Sequence, residues 1–188
     1  MANIILASSS PRRKQLLEQV GLVFDTFSPD IDESVLNGET AQSYVLRLAE
    51  TKAKVVLEQF PEAIVIAADT SLSLNQYIIG KPESKQHAFE IWSALSGREH
   101  RVITGVCVAS KNNIQTIAVH TQVEIQHLSP EDMEQYWDTG EPIGKAGAYA
   151  IQGYAAQYIP RIVGSYSNVV GLPLHETMQL LNTVMKSG

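Results

Sequence analysis

The sequence predicts an α/β fold with a mixed β-sheet, on three observations. Continuous apolar runs of strand length occur at Ile4–Ala7 and Ala63–Ala68, the pattern of strands buried on both faces. Segments with apolar residues at helical spacing alternate with them, the longest from Thr40 to about Phe60. Two long strand-like stretches, Arg101–Ala109 and Ile114–Ile125, form a hairpin about Lys111-Asn112-Asn113. Helices and strands therefore share one layered domain.

The first strand leads into a helix for which Ser10 is the N-cap and Pro11 the first helical residue. Leu16, Leu17 and Val20 form its apolar stripe. Arg12 and Arg13 stand in the first turn, where the partial positive charge of a helix end disfavours cations. With the hydroxyls of Ser8–Ser10 and free backbone N–H groups, they describe a phosphate cradle. The alternative is that both arginines face solvent or pair with a distant carboxylate. Leu22–Phe27 reads as a strand, followed by a polar connection, Ser28–Glu39, that holds Asp30, Asp32 and Glu33. Thr40 then caps the long helix, whose stripe comprises Ala41, Val45, Leu48, Ala49, Val55 and Val56. Lys52 falls on that stripe, so its ammonium either snorkels to the edge or reaches into a cleft.

The run Ala63–Ala68 ends at Asp69-Thr70, and in open α/β sheets ligands bind at the carboxyl ends of strands. Asp69 is thus a functional candidate or a turn-forming Asp. Leu72, Leu74 and Tyr77–Ile79 predict a hairpin turning at Asn75-Gln76, ended by Gly80-Lys81-Pro82 with another cation. Ser84 opens an amphipathic helix of Ala88, Phe89, Ile91, Trp92 and Leu95, stopped by Gly97. Ser129-Pro130-Glu131-Asp132 is a further helix start, acidic in its first turn. Gly140 to Gly171 holds six glycines and reads as strands and tight loops, with Lys145, Gln152 and Arg161 as its notable polar members. Ser165–Pro173 reads as a loop, and Leu174–Met185 as the closing helix.

At 188 residues, with 44% hydrophobic and 18% charged, the chain suits one domain with a proper core. A net charge of −6 opposes nucleic-acid and anionic-membrane roles. No apolar run approaches the roughly 20 residues of a membrane span, and the first residues lack the features of a signal peptide. A cytoplasmic protein is expected. Cys107 stands alone, which excludes an intrachain disulfide or a cysteine-built zinc site, and the five histidines are scattered. There is no P-loop, dinucleotide fingerprint or nucleophile elbow. What remains is a set of cations (Arg12, Arg13, Lys52, Lys81, Lys145) and carboxylates (Glu33, Asp69, Asp32) at element ends. Such a set suits a polyphosphate ester held with a divalent cation, whose hard oxygen ligands Asp and Glu supply.

The motifs Leu6-Ala7-Ser8-Ser9-Ser10-Pro11-Arg12-Arg13, Asp32-Glu33, Ala49-Glu50-Thr51-Lys52-Ala53, Ala68-Asp69-Thr70, Gly80-Lys81-Pro82, Lys145-Ala146-Gly147-Ala148-Tyr149, Ile151-Gln152-Gly153 and Gly164-Ser165-Tyr166 through Gly171-Leu172-Pro173 span nearly the whole chain. In this order they resemble the Maf family of nucleotide pyrophosphatases, first associated with septum formation. The resemblance implies one two-lobed domain over residues 1–188, an elongated, twisted mixed sheet flanked by helices with a central cleft, similar to the inosine triphosphate pyrophosphatases. It implies hydrolysis of a nucleoside triphosphate to the monophosphate and pyrophosphate, with Mg²⁺ or Mn²⁺ held at Asp69 and Glu33. Asp69 would be the general base, and Ser8, Arg13, Lys52 and Lys81 would handle the phosphates. The Pro-Arg-Arg, Asp-Thr and Ile-Gln-Gly motifs resemble the branch acting on dTTP and UTP, with Arg12, Thr70 and Gln152 as specificity positions. Gln suits the donor and acceptor edge of uracil or thymine. Gly144 departs from the acidic residue that often precedes the lysine matching Lys145, which leaves an acid in that loop without a role here. A homodimer is also implied. Two rivals remain: a phosphatase releasing single phosphates, and a nucleotide-binding regulator of division whose hydrolysis is incidental.

Overall fold

The protein is described by a computed structural model over residues 3–186. Strand β3 (Ile64–Leu74) is the hub of its sheet. On one edge β3 pairs first with β1 (Ile4–Leu6), in parallel, and then with β4 (Tyr77–Ile79), antiparallel. Its other edge pairs antiparallel with β5 (Glu99–Ser110) from Val65 to Ser73. Adding β2 (Asp25–Thr26), β6 (Asn113–Glu124) and β7 (Arg161–Val163) gives the order β2-β1-β3-β5-β6-β7, a mixed sheet.

Strand side chains alternate between faces, and the apolar residues sort accordingly. Ile4, Leu6, Ile64, Ile66, Ala68, Val106 and Val108 enter the larger core. There they meet the stripes of α1 (Pro11–Gln19), α3 (Lys85–Leu95), α4 (Pro130–Asp138) and α6 (Leu174–Lys186). Ile5, Ala7, Val65, Ala67, Cys107 and Ala109 enter a smaller core on the opposite face, with Ala49, Ala53 and Val56 of α2 (Ala41–Gln59). Helix starts follow their sequence signals. Thr40 accepts from the Ser43 amide, Ser84 from the His87 amide, and Ser129 forms a capping box with Asp132.

Six expectations need correction. The strand at Leu22–Phe27 shrinks to Asp25–Thr26, which pair with Ile5 and Leu6 of β1. Val20 lies past the end of α1 and is 43% exposed. The hairpin closes through Lys111-Asn112, because Asn113 pairs with Ser110. Asp69 is not at a strand end: β3 runs on to Leu74, paired with β5 throughout. The glycine-rich segment is mostly short 3₁₀ turns, at Ala146–Ala148 and Tyr154–Tyr158, with β7 as its one strand. The loop expected after it contains a short helix, α5 (Tyr166–Val170), capped by Ser165 accepting from the Asn168 amide. The turn at Asn75-Gln76 forms as expected, both residues having positive φ, as a two-residue hairpin turn requires.

Helix α2 approaches the sheet closely because β5 carries Gly105 beneath it. A Cβ at Gly105 would lie 2.5 Å from the Val45 carbonyl carbon and oxygen, backbone atoms that cannot move alone. Gly105→Ala should therefore lift α2 and cost about 1–3 kcal/mol of stability, read as a lower urea midpoint; an unchanged midpoint would contradict this packing.

Candidate active site

Between its pairings with β1 (Ile64–Ile66) and β4 (Leu72–Leu74), β3 has β5 on one edge only. Asp69 and Thr70 lie in this gap and line a cleft of about 400 Å³. Because neighbouring strand residues point to opposite faces, Asp69 meets α2 on one side of the sheet and Thr70 meets α1 and α5 on the other. Groups from both faces thus reach one opening.

On the α2 side, Lys52 reaches inward rather than snorkelling. It is 8% exposed, and its Nζ lies 2.7 Å from both Asp69 Oδ1 and Glu33 Oε1. Glu33 comes from the polar connection, which α2 itself holds in place. Tyr44 donates from its hydroxyl to the Glu33 carbonyl (2.9 Å), and Arg47 donates to the Ser34 carbonyl (2.9 Å) and to both oxygens of Glu39 (2.6 and 2.8 Å). Burial pushes the Glu33 carboxyl up, but the hydrogen bond and charge of Lys52, with Lys81 and Arg13 beyond, outweigh it and hold Glu33 below the usual range. Burial, with the charges of Asp69 and Glu33, pushes the Tyr44 hydroxyl up to about 12.

On the other side, the two first-turn arginines find backbone carbonyls at the end of α5. Arg12 Nε donates to the Val170 carbonyl (3.2 Å) and Arg13 Nε to the Gly171 carbonyl (2.8 Å). The partial negative charge of that helix end offsets part of what the start of α1 disfavours. Arg13 also donates to Ser8 Oγ (3.3 Å) and Thr70 Oγ1 (3.1 Å), and Thr70 is held in turn by Thr104 (2.9 Å). Ser10 makes no side-chain cap; its amide donates instead to Ser8 Oγ (3.1 Å). Burial lowers both guanidiniums from their usual value, for Arg13 against the charges of Asp69 and Glu33.

The far wall is the glycine-rich segment, which brings Lys145, Tyr149 and Gln152 to the cleft. Its path is fixed by long-range contacts. The Gly147 amide donates to the Gly80 carbonyl beside Lys81 (3.0 Å), and Trp92 Nε1 donates to the Ala148 carbonyl (3.0 Å). Gly147 has φ 71°, and a Cβ there would lie 2.2 Å from Leu72 Cδ2, so glycine alone suits the position. Tyr149 Oη shares a hydrogen bond with His100 Nε2 (2.7 Å), and burial pushes that imidazole down to about 4, so it is neutral at pH 7.

All nine residues expected at the site line this one cleft: Ser8, Arg12, Arg13, Glu33, Lys52, Asp69, Thr70, Lys81 and Gln152. Asp32 does not; it is exposed and accepts from the Ser34 amide and hydroxyl (2.9 and 2.6 Å). Tyr44, Arg47, Thr104 and Tyr149 were not expected in supporting roles. A signal existed for Tyr44 alone, which shares a helical face with Leu48 and Lys52 at i+4 spacing. With Lys145, the cleft carries five cations against two carboxylates, although the whole chain is acidic.

A cleft at a sheet gap, biased positive on an acidic protein, defines a binding site for a polyanionic small molecule. The chain belongs to the Maf family: the model of the Maf-like protein family matches residues 3–184. It is 65% identical to the dTTP/UTP pyrophosphatase of Acinetobacter baylyi over 179 residues, covering 95% of this chain and 98% of that protein. It is 46% identical to the protein of the same name from Colwellia psychrerythraea, covering 95% of this chain and 86% of that one. In fold it is similar to a HAM1 protein from Coxiella burnetii, with a TM-score of 0.53, 19% identity and 100% of both chains covered. The α/β architecture expected from the sequence is thereby borne out. Among the described residues, no helix is long and apolar enough to cross a membrane.

Because Glu33 is held below its usual value near 4.5, its pairing adds stability above that pH and loses it as pH falls through the depressed value. Urea midpoints of wild type and Glu33→Gln should differ near pH 7 and converge as pH falls below the usual carboxylate range. A gap that stays constant across that range would contradict the pairing.

Proposed function

We propose that the protein is a nucleoside triphosphate pyrophosphatase that hydrolyses dTTP and UTP between the α and β phosphates, giving the monophosphate and pyrophosphate. The observation that carries this reading is the convergence of Arg13, Lys52 and Lys81 with Asp69 and Glu33 on one cleft. The base preference follows the names of the relatives, and Gln152 on the far wall has the donor and acceptor to match a uracil or thymine edge. A cytoplasmic location and a homodimer belong to the same proposal.

The triphosphate lies along Ser8–Arg13, with Arg13 donating to phosphate oxygens and Lys52 and Lys81 neutralising them. Among the described residues Lys81 has no ion-pair partner within 4.0 Å, and its charge is free for the ligand. When Lys52 turns its charge to a phosphate oxygen, Asp69 keeps a carboxylate oxygen to orient a water and take its proton as that water attacks the α-phosphorus. Charge neutralisation supplies most of the acceleration in such displacements. Glu33 and Asp69, two carboxylates brought to one ammonium, also suit a hard divalent cation such as Mg²⁺ or Mn²⁺, which is held by one or two carboxylates plus phosphate oxygens. Bound there, the cation would neutralise charge on the phosphates.

Asp69→Asn should keep UTP binding but lower kcat by about 10²–10⁴-fold; near wild-type turnover would refute the base assignment. Purified protein incubated with dTTP, UTP, CTP, ATP and GTP in Mg²⁺ or Mn²⁺ should convert dTTP and UTP selectively to monophosphate and pyrophosphate. UDP with inorganic phosphate would mark a phosphatase instead. Tight binding without selective turnover would mark a nucleotide-binding regulator.

A further inference from the structure

Gln152 sits at the cleft on a tight turn in which the Gly153 amide donates to the Ala150 carbonyl (3.1 Å). Both sides of that turn hang from two residues outside the cleft lining. On one side the Ala150 amide donates to Tyr136 Oη (3.1 Å). On the other, the amides of Tyr154 and Ala155 donate to Glu141 Oε2 (2.8 Å) and Oε1 (3.3 Å). Tyr136 donates from Oη to Glu141 Oε1 (2.6 Å), which joins the two supports into one unit.

The unit is buried and packed. Tyr136 is 3% exposed, and its ring packs against those of Trp92 (centroids 5.1 Å apart) and Tyr154 (5.9 Å, stacked). Gly153 lets the carboxylate come close: a Cβ there would lie 1.8 Å from Glu141 Oε2. A glutamine amide can rotate to offer either its donor or its acceptor, so Gln152 alone suits uracil and cytosine equally. Discrimination needs the backbone beneath it to be fixed.

We propose that the Tyr136–Glu141 pair is a positioning device that fixes the Gln152 turn and thereby sets which pyrimidine the cleft accepts. This rests on the reading that Gln152 faces the base. The pair touches neither substrate nor the reacting atoms; its effect passes through the turn. It should therefore govern the KM for the preferred nucleotides and their advantage over CTP, while leaving kcat, set by the Lys52–Asp69 side of the cleft, unchanged.

The test is steady-state kinetics of Tyr136→Phe, Gly153→Ala, Gln152→Ala and the Tyr136→Phe/Gln152→Ala double variant on UTP, dTTP and CTP, with thermal melting of each. Tyr136→Phe keeps the stacked ring and removes only the hydroxyl. It should raise KM for UTP roughly tenfold, keep kcat within about twofold, and narrow the preference over CTP. Gly153→Ala, which drives the carboxylate away without removing it, should shift KM and preference in the same direction. The double variant should be no worse than Gln152→Ala, because the hydroxyl acts through that residue. If Gln152→Ala changes preference but Tyr136→Phe does not, or if the two effects multiply, the positioning role is overturned. If Gln152→Ala leaves the preference over CTP at the wild-type value, the base-reading role itself fails, and the proposal with it.

Discussion

The structure depends on one buried ammonium. Lys52 lies between Asp69 and Glu33, at 2.7 Å from each, on a helix face that is otherwise apolar. Taking a lysine out of water costs several kcal/mol, and only close, hydrogen-bonded partners offset that. Leaving such a charge without its partner typically costs about 3–5 kcal/mol. The three groups therefore require one another, and what surrounds them serves that requirement. Gly105, Ala49 and Ala53 let α2 lie close to the sheet. Tyr44 and Arg47, on the same helix, hold the connection that delivers Glu33. One helix thus presents the cation and anchors the loop bearing one of its counter-ions.

The second constraint is the gap beside β3. Had β1 and β4 met along its edge, Asp69 and Thr70 would lie within a continuous sheet. Their separation opens the strand at the residues whose side chains point to opposite faces, so cations on two unrelated helices, α1 and α2, line one cleft. The anchoring of Arg12 and Arg13 to the carbonyls of Val170 and Gly171 adds a third element, α5, whose short length would be marginal without that contact.

Much of the fold was legible because period and capping agree. Val65, Ile66 and their neighbours, the stripe of α2 apart from the half-buried Val55, and the caps Thr40, Ser84 and Ser129 formed as the pattern requires. The end of β3 was misread because Asp69 looks like punctuation; its polarity is satisfied by Lys52, a contact 17 residues away that periodicity does not encode. The fate of Lys52 was open for the same reason. The glycine-rich wall was illegible since its path is set by Leu72, Trp92, Tyr136 and Glu141 rather than by local preference. At the site, residue chemistry alone singled out the arginines, lysines and acids. Thr70 and Gln152 entered only through family resemblance, because a neutral side chain at a cleft wall carries no signal of its own.

The central claim is that a water, oriented from the Asp69 side of this cleft, attacks the α-phosphorus of a triphosphate held by Arg13, Lys52 and Lys81. Hydrolysis of UTP in ¹⁸O-labelled water, followed by ³¹P NMR of the products, tests it most directly. The account predicts that the label appears in UMP and not in pyrophosphate. Label in pyrophosphate, or in free phosphate released with UDP, would contradict it.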